Sequence, residues 1–198
     1  MDYSINQNTV VQEGNGSSII PIGINEDCKI IGWEVKEATN GSIYLWFGFT
    51  NKDGATLSHT EWDVDPDRVT PKAGETQEEA ADRKLSNLLQ RIKHICTKFV
   101  DPSNFVITAT DWKSLCESVC KTLSKDEADV KKVRVRMKVT YSWNDYASLP
   151  NYCPFMENMN EVSQAESKLK MNNIDKLEKA SSLASAEAGS SDEEILPF

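Results

Sequence analysis

The segment Ser42–Thr50 combines strict period-two alternation with the strongest hairpin signal of the chain at its start. Asn40-Gly41, directly before it, favours a tight turn between antiparallel strands. Such alternation predicts a β-strand with one buried face, and an isolated strand is not stable, so we expect an antiparallel sheet around this segment. The apolar face consists of Ile43, Leu45, Phe47 and Phe49, and the opposite face of Tyr44, Trp46, Gly48 and Thr50.

Two further strands are predicted beside this segment. Cys28–Lys36 is predicted to be a strand in which Gly32 marks a bend or bulge, as small closed barrels require. A turn at Lys52-Asp53-Gly54 leads into Ala55–Val64, which alternates again. Together the three strands are predicted to form a meander. On the third strand, Leu57, His59, Glu61 and Asp63 oppose Thr56, Ser58, Thr60 and Trp62.

Helical spacing follows the meander. Thr76-Gln77-Glu78-Glu79 is a capping box, and apolar residues then recur at helical intervals up to Phe99, which predicts a helix of about six turns. Asp111–Leu123 is predicted to be a second amphipathic helix, and Phe105–Thr108 before it a short strand. Val130–Trp143 carries the longest strand signal of the chain.

Composition divides the chain into four regions. The 198 residues carry a net charge of −9, and residues 157–198 hold nine acids but only four lysines. Residues 1–26 are polar, and no aromatic residue lies between Glu157 and Phe198. We therefore expect a flexible arm at 1–26, a folded domain at 27–156, a flexible linker at 157–190 and an acidic tip at 191–198, the last two forming a disordered acidic tail.

The cysteines and the hydropathy pattern indicate a cytoplasmic protein. An odd number of cysteines, five, favours free thiols in a reducing compartment. No segment resembles a signal peptide or a membrane span. The expected location is the cytoplasm of a bacterium, or of one infected by a phage.

Four cations alternate with apolar residues along the last long predicted strand. Period two places all four on one face, at intervals of about 6.6–6.8 Å. Such a positive stripe is expected to follow a phosphate backbone as the floor of a groove. The alternative is a solvated strand face whose charges keep an edge from pairing with other chains. The four residues are Lys132, Arg134, Arg136 and Lys138.

Aromatic residues on the predicted sheet supply the other half of a nucleic-acid site. Exposed aromatic rings beside cations make a platform on which unpaired bases stack. The alternative is a second layer of core beneath the helices. The candidates are Trp33, Tyr44, Trp46, Tyr141 and Trp143, whereas Trp112 is expected in the core and Trp62 has no assignment.

Catalysis finds little support in the sequence, and we predict no catalytic residue, metal or cofactor. His94 and Cys96 lie two residues apart on a predicted helix and point to different sides. Cys116 and Cys120 share a helix face without a second ligand pair, so buried core thiols are favoured. The open alternative is a metal-dependent nuclease that uses Asp63, Asp65 and Asp67.

The chain ends with three acids, two aliphatic residues, a proline and a phenylalanine: Asp192, Glu193, Glu194, Ile195, Leu196, Pro197 and Phe198. This order resembles the C-terminal tip of bacterial single-stranded DNA-binding proteins and of some phage replication proteins. The resemblance implies that the tip binds replication, recombination and repair proteins. An alternative is a phage structural or regulatory protein whose tip binds a host factor.

The order of elements resembles an OB-fold, a five-stranded barrel with a helix between its third and fourth strands. The expected class is α+β, mainly β, with one or two added helices. Together with the tip, the resemblance implies a non-enzymatic, phage-encoded protein that coats single-stranded DNA without sequence preference. A homo-oligomer is compatible with the sequence, and no membrane partner is expected.

Overall fold

The computed structural model describes residues 18–142 and 144–179. Three short 3₁₀ helices lie at Pro66–Arg68, Pro102–Asn104 and Gln164–Glu166. The other elements, in chain order, are β1 (Gly23–Glu37), β2 (Ile43–Thr50), β3 (Thr56–Trp62), α1 (Gln77–Cys96), α2 (Trp112–Ser124), α3 (Glu127–Val130), β4 (Val135–Tyr141), β5 (Ala147–Ser148) and β6 (Met156–Asn158).

The strands form a nearly closed antiparallel barrel. They are hydrogen-bonded in the order β3-β2-β1-β4-β5. The last residues of β4 pair with β5, and its first residues pair with β6. The outer strands β3 and β5 approach each other, which almost completes the ring. With α1 between β3 and β4, the architecture is an OB-fold-like α+β barrel, as the order of elements predicted.

One long strand, β1, takes part in both halves of the barrel. Its first half pairs with β4 and its second half with β2. The register shifts between Asn25 and Cys28 and again between Ile30 and Gly32. Such shifts bend a strand, so a single strand can turn the corner of a small barrel. The bulge predicted at Gly32 is confirmed.

The core lies inside the barrel and under its helices. The predicted apolar face of β2 points inward, where Leu45, Phe47 and Phe49 are fully buried. α1 buries Leu88, Ile92 and Ile95 against it, and α2 buries Cys116, Val119 and Leu123. In the part of the chain that the structure describes, no helix has the length and hydropathy needed to cross a membrane.

Hydrogen-bonded caps fix the helix starts where the sequence predicted them. The Thr76 hydroxyl accepts from the Glu79 amide while the Glu79 carboxylate accepts from the Thr76 amide, so the predicted capping box is present. The Asp111 carboxylate accepts from the Ser114 amide at 2.8 Å at the start of α2. Both caps satisfy amide groups that have no partner within the helix.

Two strand predictions need correction. Phe105–Thr108 is not a strand, because this segment runs as an irregular connection into α2. The strand expected over Val130–Trp143 is only Val135–Tyr141, because the acidic turn before it closes into the short helix α3. The remaining residues of the longer prediction include Lys132 and Arg134, which therefore lie outside β4.

The predicted flexible segments at both ends also need correction. In the N-terminal arm, residues 23–26 belong to β1, and Ile20 is buried with its amide donating to the Thr56 carbonyl at 3.1 Å. In the predicted linker, residues 157–179 lie against the barrel, with Glu157, Leu169 and Asp175 buried. The physical reason is pairing: this segment supplies carboxylates to cations on β4.

A half-buried histidine on α1 holds the chain that leads into β6. His94 Nε2 accepts from the backbone amides of Phe155 and Met156, each at 3.2 Å. Burial, aided by Lys98, lowers the pKa of His94 from 6.5 to about 4, because the charged ring would be desolvated and would lose its role as acceptor.

This pKa sets a pH dependence of stability. Since the folded state binds the proton less well than the unfolded state, the contribution is complete above pH 6.5 and is lost as the pH falls toward 4. We expect urea midpoints to decline across this window. His94→Gln keeps an acceptor without the titration, so its midpoint should decline less. Parallel curves for the two proteins between pH 6.5 and pH 4.5 would contradict this account.

Candidate nucleic-acid interface

The outer face of β1, β2 and β3 carries three rows of paired residues. The strand alternation that buries Leu45 and Phe47 turns the intervening side chains of β2 outward. The rows, read from β1 to β3, are Lys36–Tyr44–Trp62, Glu34–Trp46–Thr60 and Gly32–Gly48–Ser58. We call Tyr44, Trp46 and Trp62 the aromatic platform.

Tyr44 and Trp62 form one part of the platform as a stacked pair. Their ring centroids are 4.4 Å apart and their planes differ by 28°. Trp62 Nε1 donates to Thr60 Oγ1 at 3.1 Å, which holds the indole on this side of the sheet. Trp62 nevertheless remains 44% exposed, so part of its ring is open to a further stacking partner.

Trp46 lies flat across the two glycines of the third row. A Cβ atom on Gly48 would lie 2.5 Å from its ring, and one on Gly32 would lie 2.9 Å from it. Only glycine therefore leaves room for the indole at both positions. Its Nε1 donates to Ser58 Oγ, and Lys36 Nζ lies 4.0 Å from the ring centroid. The ring is thus fixed parallel to the sheet, with its orientation determined before any ligand arrives.

Charge plays a small part on this face. Lys36 pairs with Glu34 at 3.2 Å, so the two charges of the rows largely balance. The face offers rings and the hydroxyls of Ser58 and Thr60. It is suited to flat, uncharged groups, such as nucleic-acid bases, more than to phosphates.

The predicted basic groove is corrected by the structure. Arg136 and Lys138 are only 3% and 1% exposed, so they do not line an open surface. Arg136 donates to Glu26 at 2.9 Å and to Glu157 at 3.3 Å. Lys138 donates to Asp175 at 3.0 Å and to the Tyr152 hydroxyl at 3.1 Å. The outer face of β4 is therefore covered by the segment that was predicted to be a linker.

The remaining residues of the predicted basic and aromatic site do not join the platform. Lys132 is exposed and pairs with Asp129 at 2.9 Å, and Arg134 is half-buried. The Tyr141 amide donates to the Lys176 carbonyl at 2.8 Å, which places this tyrosine beside the covering segment. Trp143 lies outside the described residues.

Trp33, predicted to be part of the stacking surface, is instead a core residue with 8% exposure. It pairs with Phe47 in the inward-facing row, and its Nε1 donates to Ser124 Oγ of α2 at 3.0 Å. The alternation of β1 therefore places it on the face opposite Tyr44 and Trp46. Trp112, which was predicted to lie in the core, is half-buried and packs against the core. Its indole Nε1 donates to the Ile43 carbonyl at 2.9 Å.

A buried polar network, which the sequence analysis missed, joins β3, β5 and α1. His59 and Glu61 project from β3 into the interior, with His59 Nε2 2.9 Å from Glu61 Oε1. Arg91 of α1 lies 3.0 Å from the same carboxylate oxygen, and His59 Nδ1 lies 3.4 Å from Ser148 Oγ of β5. The network bridges the gap between the outer strands of the barrel. The sequence signal that could have revealed this network is that His59 and Glu61 fall on the same alternating face of the strand as the buried Leu57.

Two clefts flank Trp62. The smaller, about 370 Å³, lies between β3 and α1 above the polar network. The larger, about 950 Å³, extends from the β1–β2 hairpin loop to the start of α2. Lys84 of α1 lines both. A ligand stacked on the platform would therefore find open space on either side of Trp62.

The carboxylates of the nuclease alternative have local roles. Asp63 accepts from the Val64 amide at 2.8 Å, and Asp65 accepts from the Asp67 amide at 3.1 Å and pairs with Arg68 at 3.2 Å. Within residues 18–142 and 144–179, no three His, Cys, Asp or Glu side chains are arranged to hold a metal ion. Burial raises the pKa of Cys116 to about 12 and that of Cys120 to about 11, which keeps both thiols protonated.

No protein-family model matches the sequence, and no curated protein matches it either. The predicted partner-binding residues Asp192–Phe198 lie outside the described residues. Any assignment of function therefore depends on the barrel and on the aromatic platform.

Proposed function

We propose that this protein binds single-stranded DNA, without sequence preference, across the outer face of β1, β2 and β3. The observation that carries the proposal is the aromatic platform: Tyr44, Trp46 and Trp62 turned outward on an OB-fold-like barrel. This face and its flanking loops are where OB-folds bind oligonucleotides. Base–aromatic stacking tolerates any sequence, because every base has a π-face.

The platform explains a preference for unpaired strands. Bases in a duplex are stacked on each other and cannot place their faces on Trp46 or Trp62. The indole N–H groups of both residues are engaged by hydroxyls of β3. A base would therefore stack on the exposed part of the Trp62 ring and on the side of Trp46 that is turned away from Gly32 and Gly48. A near-neutral face beside two clefts also suits an acidic chain, since binding there does not depend on a large positive field.

Titration with oligo-dT, followed by tryptophan fluorescence, tests the proposal. We expect quenching as bases stack on Trp46 and Trp62, with saturation at micromolar or lower oligonucleotide. A duplex of equal length should compete poorly. Absence of both quenching and gel retardation with oligo-dT would refute the proposal and favour an interaction protein that does not contact DNA.

The acidic tip Asp192–Phe198 supplies the second part of the proposed function. Its resemblance to the tips of single-stranded DNA-binding proteins supports recruitment of replication, recombination and repair proteins. Its apolar residues Ile195, Leu196 and Phe198 are of the kind that insert into a pocket on a partner protein.

Deletion of residues 192–198 separates the two parts. We expect the shortened protein to bind oligo-dT as tightly as the full chain or more tightly, because an acidic segment that competes with DNA is removed. Pull-down of partners from a bacterial lysate should be lost at the same time. The matched control replaces Ile195, Leu196 and Phe198 by Ser and keeps the acids. Much weaker oligo-dT binding after deletion would contradict this division of labour.

A further inference from the structure

The smaller cleft beside Trp62 carries a set of donors that the platform does not use. Lys84, Asn87 and Arg91 occupy one side of α1 and line the cleft together with Trp62 of β3. Ser148 and Asn151 also line it. Apart from Glu61, the polar side chains that line it are hydrogen-bond donors or can act as donors. Such a wall suits an anion.

One of these donors has no acceptor. Arg91 Nη1 donates to Asn151 at 2.8 Å, and Nη2 lies 3.0 Å from Glu61. Arg91 Nε, by contrast, is buried, and within the described residues it is the one buried side-chain nitrogen or oxygen atom without a hydrogen-bond partner. A buried donor without a partner destabilises the fold, and an acceptor atom from a ligand would remove that penalty.

The charge of the cleft also favours an anion. Glu61 is 3% exposed and is occupied by His59 and Arg91. The negative charge of Glu61 therefore offsets the positive charge of Arg91. Lys84 is exposed at the cleft and adds one further positive charge. With the Glu61–Arg91 pair balanced, the cleft has a surplus of one positive charge, which matches one phosphodiester.

We infer that this cleft binds a phosphate of the DNA strand whose base stacks on Trp62. The inference rests on the proposed function and adds to it the path of the backbone. Trp62 belongs to both surfaces: its ring stacks on Tyr44, and it also lines the cleft. A nucleotide on this ring thus has its phosphate within reach of α1. Lys84 contacts the phosphate by charge, and Arg91 and Asn87 orient it.

The variant Lys84→Gln tests the inference, and Lys93→Gln is its matched control. Lys93 lies with Leu85 and Leu89 on another face of the same helix, so both variants remove one exposed lysine from α1. We expect Lys84→Gln to reduce the slope of log K against log [KCl] for oligo-dT by about 0.7, the value for one phosphate contact to a single strand. Lys93→Gln should leave the slope unchanged.

A second variant tests the buried donor. Glu61→Gln with Arg91→Gln removes both charges of the buried pair and keeps the net charge of the cleft. We expect weaker oligo-dT binding than wild type at every salt concentration, with melting curves showing that the variant folds. Affinity equal to wild type in a folded double variant would overturn the role of Arg91.

The outcomes separate this inference from the proposed function. If wild type binds oligo-dT and Lys84→Gln behaves as Lys93→Gln does, the inference is overturned and the platform stands. If wild type does not bind oligo-dT, both are overturned. Titration with inorganic phosphate distinguishes a free anion from a strand: millimolar phosphate that binds wild type in the absence of oligo-dT binding would overturn the assignment to DNA.

Discussion

Asp175→Ala should lower the free energy of unfolding by about 3–5 kcal/mol, the usual effect of removing one partner of a buried ion pair. Lys138 is 1% exposed, and its ammonium group donates to Asp175 at 3.0 Å. Without the carboxylate, the partner that the cation retains among the described residues is Tyr152, with its hydroxyl 3.1 Å and its ring centroid 4.9 Å away. Urea denaturation followed by circular dichroism measures the loss.

The control variant is Glu178→Ala, which removes an exposed acid from the same segment and should change stability by less than about 0.5 kcal/mol. A double variant separates charge from packing. Lys138→Met with Asp175→Leu removes both ions, and apolar replacements of a buried pair are often neutral or stabilising. Its stability should therefore exceed that of Asp175→Ala. Equal stability of Asp175→Ala and Glu178→Ala would show that the Lys138–Asp175 pair does not hold residues 157–179 on the barrel.

Acid should weaken the same contact. Burial alone would raise the pKa of Asp175, but hydrogen bonds from Tyr152, the Asn172 amide and Lys138 together hold it below its ordinary value of 3.8. A carboxylate whose pKa is lowered by folding contributes stability above its unfolded pKa and loses it as the pH falls through the folded one. This loss lies below the window in which His94 titrates.

Much of the barrel could be predicted because its signals are local. The alternation of Ser42–Thr50, the turn at Asn40-Gly41 and the capping box at Thr76 each depend on neighbouring residues alone. Lys138, in contrast, was predicted on an open face because its partner stands 37 positions further along the chain. Period two shows that the cations share a face, but it does not show what covers that face. The polar composition of residues 157–179 concealed their role, since carboxylates that pair with cations resemble those of a solvated tail.

The platform could have been predicted further than it was. A turn centred on Asp53 pairs Thr50 with Thr56, and the same count places Tyr44 opposite Trp62. Trp62 was therefore assignable from register. Trp33 was misplaced because the bulge before Gly32 shifts the pairing of β1 by one residue, and a bulge reverses which side chains face outward. The cleft between β3 and α1 was beyond the sequence, because it depends on how the helix docks.

Replacing both outward-facing indoles of the platform, Trp46 and Trp62, should cause the largest loss of DNA affinity. Since each stacked base contributes about 1–3 kcal/mol, Trp46→Ala with Trp62→Ala should weaken oligo-dT binding by about 2–6 kcal/mol, which is about thirtyfold or more. Fluorescence anisotropy of labelled oligo-dT measures the loss without depending on tryptophan emission. Both side chains lie outside the barrel core, so the variant should keep its circular dichroism spectrum.

Matched aromatic variants distinguish stacking from general damage. Trp46→Phe with Trp62→Phe keeps two rings on the same face and should recover most of the affinity. The salt slope provides a second criterion: removing a ring removes no phosphate contact, so the alanine variant should bind weakly with an unchanged slope. Lys84→Gln has the opposite signature, a reduced slope with both rings in place. If the alanine and phenylalanine variants bind equally well, the bases do not stack on this face, and the platform is a structural cover of the sheet.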